Sequence, residues 1–162
     1  KCLTQANPTI ANYPFTTLFP NLGTLTTIDK EIILADIPGL IAGASEGIGL
    51  GSDFLKHIHR TQILVHLIEA QPEFKPCYDS YNIICKELQL SPYDLLSKKR
   101  IVILSKIDTI SAEQLQVLID DFQSKNINVI GVSSITKKGI PSLIESILNV
   151  YCTHNEKEKN SN

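Results

Sequence analysis

The sequence predicts a doubly wound α/β domain: a mostly parallel sheet with one antiparallel hairpin strand. Two observations carry the prediction. Strand-like runs at Glu31–Ala35, Ile63–Ile68, Ile101–Leu104 and Asn128–Val132 alternate with segments of helical periodicity, and strands that alternate with helices pack as a parallel sheet covered on both faces. Polar residues gather directly after the runs, as Asp36, Ser105-Lys106-Ile107-Asp108 and Ser133-Ser134-Ile135. Open α/β sheets collect ligands at these carboxyl ends.

Each element has a local reason. Lys1 to Ala6 reads as the last turns of a helix, and Asn7-Pro8 stops it. From Ala11 to Gly23, prolines and hydroxyl side chains exclude a helix and give a loop. Leu25–Ile28 and Glu31–Ala35 flank Asp29-Lys30 as a tight hairpin. A helix is expected from Ser52 or Asp53 to about Arg60 with Phe54, Leu55 and Ile58 on one face. The apolar run Ile63–Ile68 reads as a strand buried on both faces, with His66 as a satisfied core or strand-edge histidine. Pro72 to Pro76 is expected as a loop and Tyr78 to Gln89 as a helix that Ser91-Pro92 ends. Ser111-Ala112-Glu113-Gln114 has the capping-box pattern. It should start a helix to about Lys125 that buries Leu115, Leu118, Ile119 and Phe122. The last helix, about Ile140 to Tyr151, should bury Leu143, Ile144, Ile147 and Leu148, leaving a polar tail that frays.

Composition sets the outer bounds. The chain has 162 residues, 43% apolar and 20% charged, which fits one globular domain. A net charge of −2 supplies no global field for nucleic acid, so an RNA contact needs a local patch. No apolar run approaches the roughly 18 residues of a membrane span and no signal-like leader opens the chain, so a cytoplasmic protein is expected. Cys2, Cys77, Cys85 and Cys152 lack CxxC spacing and read as reduced thiols. His57 and His59, two apart on a helix, point to different faces and make a poor metal site. With no methionine and a start that resembles a helix under way, the chain is expected to be a fragment.

The chemistry-bearing loops suit one ligand type. Asp36 lies where a strand ends, Pro38 cannot continue the ladder, and Gly39 lets bare backbone approach the ligand. A backbone amide beside a fixed carboxylate suits a phosphate with its metal. Gly43, Gly47, Gly49 and Gly51 then mark a segment with more than one conformation. Asp108 is the most informative residue. A carboxylate accepts from the N1–H and 2-amino group of guanine, whereas the unprotonated N1 of adenine repels it. Lys106 can lay its methylene stem along the base, and the Ser133-Ser134-Ile135 backbone can offer an N–H to the guanine oxygen. A threonine hydroxyl from the first loop is a hard ligand for Mg²⁺, which Asp36 can hold through water.

These loops resemble the GTPase motifs of the Obg family. Its Tyr-Pro-Phe-Thr-Thr-Leu and Pro-Asn-Leu-Gly stand at residues 13–18 and 20–23, and its Asp-x-Pro-Gly-Leu-Ile and Gly-Ala-x-x-Gly-x-Gly-Leu-Gly at 36–41 and 43–51. The resemblance implies a P-loop NTPase-like (Ras-like) G domain over residues 1–152 and a polar tail over 153–162. Switch I would be 11–23, switch II 36–52, and the base-recognition loops 105–108 and 133–135. By that resemblance Phe15, Thr16, Thr17, Leu18 and Phe19 touch GTP and magnesium, with Thr17 the direct Mg²⁺ ligand. Asp36, Ile37, Pro38 and Gly39 would sense the γ-phosphate, while Ser105, Lys106, Ile107 and Asp108, with Ser133, Ser134 and Ile135, would hold the guanine.

The sequence departs from the family pattern in places. The phosphate loop Gly-x-x-x-x-Gly-Lys-Ser/Thr is absent, so the first strand and main phosphate cradle are expected outside this chain, as is the family's glycine-rich amino-terminal domain. The expected Asn-Lys-x-Asp reads Ser-Lys-Ile-Asp, and Leu40 stands where many small GTPases place a water-orienting glutamine. The resemblance therefore implies a monomeric GTP-binding and GTP-hydrolysing switch with Mg²⁺, slow intrinsic turnover and no identifiable catalytic base. It also implies a role in ribosome assembly or stress control, with the large subunit as partner. One alternative is a ribosome-docking module with marginal nucleotide turnover; another, an ATPase, is opposed by Asp108.

Overall fold

The computed structural model describes residues 3, 9–10, 21–27, 31–36 and 58–159. Apart from Leu3, the expected helical start at Lys1–Ala6 lies outside the described residues, as do residues 11–20 and the glycine-rich segment 37–57.

Among the described residues two three-stranded sheets form the framework. The first is antiparallel, with β1 (Thr9–Ile10) beside β2 (Asn21–Thr26) and β2 beside β3 (Glu31–Asp36). The hairpin is longer than the sequence pattern suggested. Asn21, Leu22 and Gly23, expected in a loop, pair with Asp36, Ala35 and Leu34. Cross-strand pairing here outweighs the weak strand preference of Asn and Gly. Thr26 faces Glu31 in the last pair of this ladder, and the expected turn at Asp29-Lys30 lies outside the described residues. The two-residue strand β1 was not anticipated; it is too short to show any periodicity.

The second sheet is parallel, in the order β4 (Ile63–Glu69), β5 (Lys99–Ser105), β6 (Val129–Gly131). Between these strands run α1 (Phe74–Leu90) and α2 (Ala112–Ser124), and α3 (Ile140–Lys159) follows β6. Among the described residues β3 and β4 share no ladder, in keeping with the expectation that the first strand of the sheet lies outside this chain. Side chains join the halves. Leu25 and Ile32, paired across the hairpin, pack in one cluster with Ile101 and Ile103 of β5 and Leu143 and Ile147 of α3.

The opposite face of the parallel sheet is covered by α1 and α2. Ile68, Val102 and Leu104 meet Cys77, Leu118 and Phe122, and Phe122 receives the rings of Phe74, Tyr78 and Tyr81 at centroid distances of 5.2, 6.1 and 6.2 Å, edge to face. Helices on both faces make the parallel half doubly wound. Ile58–Arg60 are helical, and Thr61 closes that turn with both its N–H and hydroxyl on the Ile58 carbonyl.

Several local expectations are corrected. α1 begins at Phe74 within the stretch expected as a loop, because Pro76 falls in the first turn, where a missing N–H has no intrahelical partner to lose. It ends as expected, with Ser91 extended before Pro92. β4 packs on both faces, Ile63 and Val65 against the α3 cluster and Ile68 against α1 and α2, but it is not buried throughout, since Leu67 is 63% exposed. His66 is buried as expected and stacks on Tyr81 at 5.3 Å, but among the described residues neither ring nitrogen has a hydrogen-bond partner. α3 continues to Lys159 where a fraying tail was expected. Glu and Lys are good helix formers, so a run of them does not end a helix.

The capping box is as expected. Ser111 Oγ accepts from the Gln114 N–H at 3.2 Å and Gln114 Oε1 accepts from the Ser111 N–H at 2.9 Å. Leu118 and Phe122 are fully buried below it, with Leu115 and Ile119 half-buried.

Candidate nucleotide-binding site

The site is built where β5 and β6 stop. Ser105 is the last residue of β5, and Lys106 turns the chain out of the strand with a left-handed φ of 57°. A 3₁₀ turn at Ile107–Thr109 follows, closed by Thr109, whose N–H and hydroxyl both donate to the Lys106 carbonyl at 3.0 and 2.8 Å. Ile107 points into the core at 6% exposure. This alternation leaves Asp108 exposed at the carboxyl end of the sheet.

The second loop is held rigidly beside the first. Ile107 N–H donates to the Val132 carbonyl at 3.2 Å and Val132 N–H to the Leu104 carbonyl at 2.8 Å, carrying the β5–β6 pairing past the end of the strands. Ser133 is completely buried; its N–H donates to the Lys138 carbonyl at 3.0 Å and its Oγ accepts from the Thr136 N–H at 3.0 Å. The loop 133–138 is thereby closed on itself, with Ser134 exposed and Ile135 78% exposed at its tip.

A third strand end contributes. Ser105 Oγ donates to the Ile68 carbonyl at 3.0 Å, Ala70 N–H donates to the Ser105 carbonyl at 2.9 Å, and Lys106 Nζ pairs with Glu69 Oε2 at 2.8 Å. The Ser105 hydroxyl hydrogen is therefore directed into the protein, leaving its oxygen as an acceptor.

The structure thus brings Ser105, Lys106, Ile107 and Asp108 together with Ser133, Ser134 and Ile135. Asp36 ends β3 with its side chain exposed, and among the described residues no hydrogen bond or ion pair links it to these loops. Phe15, Thr16, Thr17, Leu18, Phe19, Ile37, Pro38 and Gly39 lie outside the described residues. Sequence reasoning missed Glu69, although it closes an apolar run just as Asp36 and Ser105 do. It also missed Gly139, whose φ of 75° shapes the end of the second loop.

A turn that presents an aspartate beside a buried-serine loop, at the carboxyl ends of a parallel sheet, has the organisation of a GTPase G domain. The family model for the 50S ribosome-binding GTPase matches residues 1–106, and the chain belongs to that family. Among curated proteins it is similar to GTPase Obg of Prochlorococcus marinus strain AS9601, 48% identical over 149 residues, covering 90% of this chain and 44% of that protein. GTPase Obg of Persephonella marina is 44% identical over 160 residues, covering 96% of this chain and 47% of that protein. The chain spans less than half the length of these relatives. The fold is also that of the G domain of the T. maritima FeoB iron transporter, with a TM-score of 0.59 at 23% identity, covering 93% of this chain and 87% of that one.

Proposed function

We propose that the whole protein to which this chain belongs binds and hydrolyses GTP as a molecular switch. The observation that carries this reading is the exposed Asp108 carboxylate, held on a 3₁₀ turn and flanked by Lys106 and by the closed 133–138 loop. A carboxylate fixed there accepts from the N1–H and 2-amino group of guanine, and adenine offers it neither donor. Ser134 and Ile135 would present backbone to the guanine oxygen. Phe15 to Phe19 and Asp36 to Gly39 would contact the phosphates.

Mg²⁺ fits the oxygen donors. Asp36 offers an exposed carboxylate at a strand end and Thr17 a hydroxyl, so Thr17 would hold the ion directly and Asp36 through water. When bound, the ion would neutralise phosphate charge. Leu40 cannot orient an attacking water, so intrinsic hydrolysis is slow and is accelerated by a partner, a cation or another residue of the 36–52 segment. In this reading 11–23 and 36–52 are the switch segments, held by the γ-phosphate and released on hydrolysis. The family description supports the large ribosomal subunit as partner, in a cytoplasmic role in its assembly or in stress and growth control. No helix among the described residues is long and apolar enough to cross a membrane.

The test is a calorimetric titration of GDP and then ATP, with Mg²⁺, into the complete protein. Heat with GDP and none with ATP is the expected result; no binding of GDP defeats the reading. One observation favours a second reading, a ribosome-docking module in which turnover is marginal: the Ser105 hydroxyl donates to Ile68 and has no hydrogen left for a nucleotide. Ribosome association unaffected by GTP, GDP or a nonhydrolysable analogue would support that reading instead.

A further inference from the structure

The base-recognition turn is tied to the end of β4 in a way that singles out one residue. Glu69 is the last residue of β4, and the backbone around it is fixed from both sides. On one side Ala70 N–H donates to the Ser105 carbonyl, and Ala70 is 3% exposed. On the other, the fully buried Cys77 of α1 places its thiol 3.5 Å from the Glu69 carbonyl and 3.9 Å from that of Gln71. Burial pushes the Cys77 thiol pKa up, so it stays protonated and can donate. The Glu69 side chain therefore starts from a fixed base.

That side chain meets Lys106 Nζ at 2.8 Å, with about half of each side chain exposed. Lys106 is one residue from the Ser105 tether and two from Asp108, and its left-handed backbone is an uncommon conformation for a lysine. A lysine has four rotatable side-chain bonds, and an ammonium left in water samples many positions. With the ammonium held at Glu69, the methylene stem is confined to the span between the end of β5 and the end of β4. A purine whose edge is read by Asp108 would lie against that stem.

We propose that Glu69 is a positioning residue of the guanine site, which anchors the Lys106 ammonium so that the Lys106 stem is ordered before the base arrives. This rests on the GTP-binding reading above. Glu69 acts through Lys106 and not on the base, and preorganisation of this kind strengthens binding by lowering the ordering cost.

The test is a double-mutant cycle on GDP affinity in the complete protein, with wild type, Glu69→Gln, Lys106→Ala and the double variant. An exposed ion pair is modest, so Glu69→Gln should weaken GDP binding about two- to fivefold. The wild-type-to-variant ratio should fall toward one in about 1 M salt, where such a pair is screened. In the Lys106→Ala background Glu69→Gln should have no further effect, because the effect passes through Lys106. Glu69→Asp keeps the charge and should retain more affinity than Glu69→Gln. An equal loss in both backgrounds overturns the proposal, as does unchanged GDP affinity in Glu69→Gln. Should Glu69→Gln melt far below wild type, the Glu69→Asp comparison in the two backgrounds decides. A wild-type protein that melts cooperatively but binds no GDP defeats the GTP-binding reading itself, an outcome distinct from a wild type that binds while Glu69→Gln loses nothing.

Discussion

The hydroxyl of Ser105 donates its hydrogen to the Ile68 carbonyl at 3.0 Å, binding the end of one parallel strand to the end of the next through a side chain. The bond is partly buried and lies where the Ala70 N–H makes the last main-chain link between the same strands. Ser105 is therefore a structural tie as well as a neighbour of Asp108, the residue proposed above to read the base. Ser105→Ala should lower stability by about 1 kcal/mol, the usual net worth of such a bond, read as a shifted urea midpoint with an unchanged slope. Preference for GDP over ADP should persist, since the proposed function gives the base edge to Asp108 and not to Ser105. A variant that keeps its stability but loses base preference would show that the hydroxyl serves the nucleotide instead.

Gly139 and Gly131 form a second close relationship. Gly139 has a φ of 75°, and a Cβ built on it would collide with the Gly131 carbonyl oxygen. Both the conformation and the contact require glycine. Leu143 N–H donates to the Gly139 carbonyl at 3.0 Å, so any displacement is passed to the start of α3. Gly139→Ala should cost about 2–4 kcal/mol, combining left-handed strain with a backbone clash. For Gly131→Ala the nearest atoms are side-chain carbons of Ile107 and Leu115, at 3.3 to 3.4 Å. These can yield, so its cost should stay near 1 kcal/mol. Thermal melts of the two variants check the ordering; a Gly139→Ala protein as stable as wild type would contradict it.

The sequence made the elements legible wherever they were long and periodic. The capping box at Ser111 and the strand ends at Ser105 and Asp36 were readable because each depends on neighbours a few residues apart. The Ser105 to Ile68 bond and the Lys106 to Glu69 pair were not, because each joins residues 37 apart in sequence through the parallel register of β4 and β5. Gly139 followed the same rule: its need for glycine arises from a carbonyl brought beside it by the turn after β6. Alternating strands and helices specify layers, but whether β3 and β4 share hydrogen bonds depends on what stands between them.

His66 shows the same limit and yields the last prediction. An apolar run suggested a core position, but only the folded chain shows the imidazole stacked on Tyr81, with neither nitrogen hydrogen-bonded among the described residues and Arg100 as its charged neighbour. Burial first, and the Arg100 charge second, lower its pKa from 6.5 to about 4. The folded state therefore disfavours the proton that the unfolded chain accepts. Stability from keeping this ring neutral is complete above pH 6.5, declines as the pH falls below it, and is gone below about pH 4. The whole effect is on the order of 3 kcal/mol. His66→Phe keeps a flat ring against Tyr81 and removes the orphaned nitrogens. It should be at least as stable as wild type at pH 7 and should lose the downward slope between pH 6.5 and 4.5, above the range where most carboxylates titrate. Urea unfolding at half-unit pH steps measures both. If wild type and variant fall in parallel over that interval, the acid sensitivity belongs to other groups, and His66 gains a partner or water when the chain is in solution.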